Sequence, residues 1–250
     1  MITNIIPNSW QKLQNQTARI LEECGFSVEV EKTIETVRGA VEIDVYAEEI
    51  IKGRKYIILC ECKNWKSRVP QNVIHGFRTV VSDIGANVGY IISSNGFQSG
   101  SFSAAELTNI ELTDWFEFQN AFEGTWYDEY FSPKIAEDLD PLLTYSEPIL
   151  PRWFDNLPDK DKKEFFSLKS EYDQLGWLIM SFTPYVRMID KTPYPTLPVR
   201  GRLATRPEVP VTIPDDILDC ESYREFYERC MEVGHLAIKK FRAIRDRNTV

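Results

Sequence analysis

The chain of 250 residues is short of several things. It has no run near the eighteen or so uninterrupted apolar residues of a membrane-spanning helix, so no membrane partner is expected. Its start, Met1-Ile2-Thr3-Asn4-Ile5-Ile6-Pro7, shows no basic segment followed by a long apolar stretch, and the expectation is a cytoplasmic protein without a secretory signal. Cysteines number five, an odd count that favours reduced thiols over a disulfide framework. Cys60 and Cys62 are too close for a zinc knuckle and only His75 and His235 could supplement them, so no structural zinc site is expected. No Gly-x-Gly-x-x-Gly or Gly-Lys-Ser/Thr loop is present, which excludes nucleotide-driven translocation as a reading. The absence of a Gly-x-Ser-x-Gly elbow removes support for a serine hydrolase. Basic charge is in deficit, 29 Lys+Arg against 38 Asp+Glu for a net charge of −9, so no uniformly basic surface exists for phosphate contacts. A local field in a cleft remains open. Cations do gather at Lys52–Lys55, Lys63–Arg68, Arg200–Arg206 and Lys239–Arg247.

What is present is organised around two short runs, Val41-Glu42-Ile43-Asp44-Val45-Tyr46 and Tyr56-Ile57-Ile58-Leu59-Cys60-Glu61-Cys62-Lys63. Their β-branched and aromatic content reads as buried strand. Both carry ionisable groups, and a charge withdrawn from water must be paired or hold a metal. Alternation places Glu61 and Lys63 on one face, about 7 Å apart, and Glu42 with Asp44 on a face of their own strand. If the strands are neighbours, Asp44, Glu61 and Lys63 converge at one end of a sheet, where they suit a divalent cation and the water it activates. Alone this is weak, because Glu-x-Lys is a common tripeptide and acid–base pairs at strand ends are ordinarily solvated or salt-bridged.

The order of elements adds to it. Gln11–Cys24 carries apolar positions at helical spacing and stops at Gly25. Phe26–Glu31 alternates as a first strand, Arg38-Gly39-Ala40 is a turn into the Asp44 strand, and Glu48–Lys55 reads as a charged hairpin loop. After the Glu61 strand and Val69-Pro70, Gln71–Ile84 has a helical stripe ending at Gly85. Val88–Ser94 is a further buried strand, Ser99–Leu107 a short helix of small residues, and Ile110–Leu112 a last strand. Thr113-Asp114 then caps an aromatic helix running from Trp115 towards Phe131. A three-strand meander followed by crossovers indicates an α/β fold with a mixed sheet flanked by helices.

The composition shifts near residue 132. Twelve of the 14 prolines lie between Pro133 and Pro214, and nine of the 12 glycines lie before residue 132. The expected division is residues 1–132 and 133–250, the latter mainly helical. Asp159–Trp177 and Ser222–Arg245 are its amphipathic helices, and Met188–Pro214 is too proline-punctuated for long elements. Its residues identify no chemistry.

The first half resembles the Mrr-like branch of the restriction-endonuclease fold, the PD-(D/E)xK nucleases. The resemblance covers roughly residues 10–116. It rests on the first helix, Gly25-Phe26, Ile43-Asp44-Val45, Glu61-Cys62-Lys63, Tyr90-Ile91-Ile92-Ser93-Ser94-Asn95-Gly96-Phe97, and Ala104-Ala105. It implies a restriction-endonuclease-like fold and a Mg²⁺-dependent endodeoxyribonuclease, with Mn²⁺ able to substitute, acting in defence against foreign DNA. Asp44 and Glu61 are then metal ligands and Lys63 the third catalytic group. Glu42 is an additional ligand, a neighbouring acid, or a charge on the rim. Ile43 stands where proline is common, and Gln14 where the family's first helix often has glutamate; a neutral amide there can still orient water or a ligand. Gln71 is either a polar group at the site or a helix start, and His75 reads as a packed or surface residue. The implied partner is DNA, double-stranded first of all, with a homodimer or protein contact left to residues 133–250. The alternative is a catalytically idle nuclease-fold module that binds nucleic acid or protein.

Overall fold

The computed structural model describes residues 1–189, 194–203 and 211–248. Parts of the Met188–Pro214 stretch, and residues 204–206 of the Arg200–Arg206 cluster, lie outside the described residues. The chain divides into two compact units, Met1 with Ile5–Glu129, and Ile2–Asn4 with Tyr130–Val250.

The first unit is a five-stranded mixed sheet with helices. Helix α1 (Trp10–Glu23) is opened by Ser9, whose hydroxyl accepts from the Lys12 amide at 3.2 Å. Strands β1 (Ser27–Thr36), β2 (Gly39–Ile51) and β3 (Arg54–Lys63) form an antiparallel meander. Helix α2 (Gln71–Ile84) and helix α3 (Ser99–Ala105) are crossovers that bring β4 (Val88–Ser93) and β5 (Ile110–Thr113) alongside in parallel, in the order β1-β2-β3-β4-β5. Helix α4 (Trp115–Trp126) follows, capped by Asp114 and Glu117 in a reciprocal capping box. Leu59, Ile91, Ile74, Phe77, Val81, Ala104 and Ile110 form a core between sheet and helices. Gly89 sets how closely α2 approaches, since a Cβ there would lie 2.7 Å from Phe77 and Val81.

One element differs from expectation. Glu48–Lys55 is not a loop: β2 and β3 run on through it to a two-residue turn at Lys52-Gly53, with φ of 51° and 78°. Positive φ at both central residues is the hairpin geometry that matches strand twist. Charged residues persist in strand there because this end of the ladder faces water, and Lys55 pairs with Glu48.

In the second unit, α5 (Ser132–Ser146), α6 (Asp159–Met180) and α10 (Tyr223–Asp246) are the long helices, with short helices α7 (Pro184–Ile189), α8 (Arg200–Leu203) and α9 (Asp215–Leu218) between α6 and α10. A π-helical segment, Tyr127–Phe131, precedes α5. Tyr145 of α5 stacks on Phe241 of α10 at 4.4 Å, and Phe165 of α6 meets Phe241 edge-on at 5.2 Å. Helix α5 had no clear sequence signal because Pro133 and Pro141 interrupt its pattern. Pro133 occupies its first turn, where a missing amide is tolerated.

Candidate active site

The ladder between β2 and β3 runs from Ile51↔Arg54 to Val45↔Cys60 and stops. One step further, Asp44 and Glu61 would face each other. Instead the Asp44 carboxylate takes the ladder position itself: its Oδ2 accepts from the Cys62 backbone N–H at 2.7 Å. The disturbance extends to β1. Glu31, between the pairs Val30↔Val45 and Lys32↔Ile43, has φ of 55°, a conformation uncommon outside glycine. Strict alternation fails across this point, for Ile43 and Tyr46, three residues apart, pack into the same core. Lys32 accordingly lies over the Tyr46 ring, 3.7 Å from its centre.

Helix α1 holds the other side of Asp44. Gln14 is buried, 2% exposed, and its Nε2 donates to the Asp44 carbonyl oxygen at 2.8 Å. Both backbone and side chain of Asp44 are therefore fixed by hydrogen bonds from neighbouring elements.

Glu61 and Lys63, two positions apart at the end of β3, meet as an ion pair with side-chain exposures of 21% and 16%. Burial foremost, then the charge of Asp44, pushes the Glu61 carboxyl above the ordinary carboxylate range, and Lys63 works against that rise. The Lys63 ammonium also lies 5.2 Å from the centre of the Trp65 ring. Thus Asp44 bonds the amide of Cys62, the residue between the paired Glu61 and Lys63.

Two further candidates have surroundings of their own. Glu42 is exposed and stands opposite Thr33 of β1. Gln71 opens α2, and its Nε2 is 3.0 Å from Nε2 of His75, both side chains being exposed. Asn64, which the sequence did not single out, ties three elements together. With its amide oxygen towards α1, it accepts from the amides of Ser9 at 3.1 Å and Trp10 at 3.3 Å, and its nitrogen donates to Ser94 Oγ at 2.9 Å. Only its place directly after Lys63 could have marked it.

Residues 7–122 match the family Mrr_cat, described as restriction endonuclease. This match is consistent with an Mrr-like nuclease region in the first half of the chain. No curated protein matches the chain. Among solved structures, one titled "Crystal Structure of Protein of Unknown Function AF1548" is similar over 54% of this chain and 77% of that one, at 21% identity and a TM-score of 0.38.

The mixed sheet and flanking helices are those of the restriction-endonuclease-like fold, and the match supports a nuclease-type hydrolase. Domains of this kind generally use divalent metals. Among the described residues no group of three or more His, Cys, Asp or Glu side chains is arranged to hold an ion. Here Asp44 and Glu61 offer two carboxylates whose mutual repulsion a cation would relieve. That donor set fits a hard ion such as Mg²⁺, which keeps several waters and takes one or two carboxylates. It does not fit zinc: Cys60 and Cys62 are buried and their thiols are pushed up, Cys62 lying against Thr17 of α1. No helix of the described residues is long and apolar enough to cross a membrane.

Proposed function

We propose that this chain is a Mg²⁺-dependent endodeoxyribonuclease in which Asp44 and Glu61 hold the ion and Lys63 assists hydrolysis. The observation that supports the reading is that Asp44 bonds the amide between Glu61 and Lys63, themselves an ion pair, where β2 and β3 part. There Asp44 is supported by hydrogen bonds from β3 and α1. A divalent cation in such a site supplies polarisation of the phosphoryl oxygens and lowers the pKa of water. Asp44 is already oriented by Cys62 and Gln14, so little reorganisation remains when charge develops. Water attacks phosphorus, the bond to the leaving sugar oxygen breaks, and that oxygen takes up a proton. Lys63 places a positive charge against the oxygens on which negative charge accumulates, and Glu61 keeps its amine from swinging away. Glu42 and Gln71 stay outside this arrangement in our reading, Gln14 acts through Asp44, and Mn²⁺ is expected to replace Mg²⁺.

We assign hydrolysis to residues 1–132 and self-association or partner contact to residues 133–250, with defence against foreign DNA as the setting that the restriction-endonuclease description suggests. The second reading is an idle nuclease-fold module that binds nucleic acid or a protein. It is favoured by the donor set of two carboxylates with a neutral amide, Gln14, behind them.

Supercoiled plasmid incubated with the full chain and Mg²⁺ or Mn²⁺, beside Asp44→Ala and Lys63→Ala, separates the readings. Nicking by the wild type, none by Asp44→Ala and slow nicking by Lys63→Ala supports the enzyme. Equal cutting by all three signals contamination, and plasmid retardation without cutting supports the module.

A further inference from the structure

From Cys62 to Ser82 the sequence contains no aspartate or glutamate, in a chain that has 38 of them. The stretch begins at the site and carries Lys63, Lys66, Arg68 and Arg78. Lys66 and Arg68 are exposed, and neither has a charged partner among the described residues. Between them and Lys63 stands Trp65, 42% exposed. An isolated exposed tryptophan means little. This one lies in the stretch without carboxylates and beside Lys63, which pairs with Glu61.

Its backbone is held on both sides. Ser94 donates from its amide to the Lys63 carbonyl at 3.1 Å, and its hydroxyl reaches the carbonyls of Lys63 and Trp65 at 3.4 and 3.5 Å. Asn95 Nδ2 donates to the Lys66 carbonyl at 2.5 Å. Val69 is pinned by bonds with Gly96, Gln98 and Ser101 at 3.0, 3.0 and 2.8 Å. The backbone of the loop from Asn64 to Pro70 is thus preformed, and a platform whose backbone is already ordered loses less freedom on binding.

We propose that Trp65 stacks a nucleobase unpaired or unstacked beside the scissile phosphate, with Lys66 and Arg68 receiving the adjoining phosphates. The substrate class is therefore DNA that is single-stranded at the cut, not an undisturbed duplex. This rests on the nuclease reading for the position of the phosphate. The ring centre is 5.2 Å from the Lys63 amine, and stacked nucleotides advance about 3.4 Å per step along a strand. A base on Trp65 then belongs to a nucleotide next to, or one removed from, a phosphate held at Lys63. In a duplex both faces of an internal base are covered by its neighbours, so the ring cannot be used unless the base leaves the stack.

The test is fluorescence anisotropy of a fluorescein-labelled DNA single strand and of the same sequence as a blunt duplex. It is run in EDTA, so that binding is read without cleavage, with the full chain, Trp65→Ala, Trp65→Phe, and Lys66→Ala/Arg68→Ala. We expect the single strand to bind tighter than the duplex. Trp65→Ala should weaken single-strand binding roughly ten- to a hundred-fold, the range of one base–aromatic stack, and leave duplex binding nearly unchanged. Trp65→Phe should recover most of the loss. The double variant should weaken both DNAs and flatten their salt dependence. Unchanged single-strand binding by Trp65→Ala, or an equal loss on both DNAs, overturns the proposal, with circular dichroism confirming that the variant is folded. Plasmid cutting that depends on Asp44 while Trp65→Ala binds normally would sink this inference alone. Trp65-dependent binding by a chain that never cuts would keep the stacking but sink the nuclease reading, and with it the placing of the base beside a scissile phosphate.

Discussion

The carboxylate of Asp44 accepts the backbone N–H of Cys62 at 2.7 Å, in the place where the β2–β3 ladder would otherwise have continued. A backbone amide of the sheet is therefore satisfied by a side chain that the proposed chemistry also needs. Asp44→Ala leaves that amide without its partner, and should cost about 1–3 kcal/mol of stability as well as abolishing cleavage. Asp44→Asn keeps an acceptor oxygen. It should unfold close to the wild-type temperature and still not cut. Thermal denaturation beside plasmid nicking distinguishes the two losses; equal destabilisation by both variants would contradict the geometry.

Gln14 reaches the same aspartate from the other side. Removing its amide in Gln14→Ala leaves the Asp44 carbonyl short of a donor within a buried region. The expected loss is about 1–3 kcal/mol in stability, seen as a lower midpoint in urea with an unchanged slope. A fall in nicking rate should accompany it, because Asp44 then lacks one of its two supports.

Glu61 makes metal-free stability depend on pH in a defined direction. Its folded pKa lies above the unfolded value, chiefly through burial and then through Asp44. The folded state thus binds its proton more tightly than the unfolded chain does. The favourable contribution is complete below the unfolded-chain value of about 4.3, and is lost as pH rises through the folded value. Glu61→Gln should remove this component, so that wild type minus variant stability declines over that interval in EDTA. Chemical denaturation at a series of pH values checks it; a difference that grows with pH would reverse the assignment.

All five cysteines are free and buried. Burial pushes the Cys24 thiol up to about 12 and Cys220 to about 11, and raises Cys60, Cys62 and Cys230 as well. Thiolate is the reactive form. Ellman's reagent at neutral pH should therefore react slowly with the native protein and with five thiols once guanidinium is added. Rapid labelling of Cys60 or Cys62 in the native state would show that the β3 end opens.

Much of this was legible in the sequence, and the reason differs by element. Helix α2 and strand β4 are marked by periodic apolar positions closed by Gly85 and Gly96, signals that act over a few residues. The acid–acid–amine order Asp44, Glu61, Lys63 was visible because those residue types are out of place in strands. Charge misled at Glu48–Lys55, where a water-facing hairpin tolerates what a buried strand does not. Helix α5 was hidden by Pro133 and Pro141, whose local preference is outweighed by the apolar face packed on α6 and α10.

Residue order alone determined that a mixed sheet with helices would form here and which three ionisable side chains lay near its strand ends. Alternation along a chain cannot say where two strands separate. That depends on cross-strand hydrogen bonds, on a positive φ at Glu31 within β1, and on a buried amide arriving from α1. Only the tertiary structure therefore decided that Asp44 turns towards Cys62, that Glu42 is left in water, and that Trp65 is anchored beside Lys63.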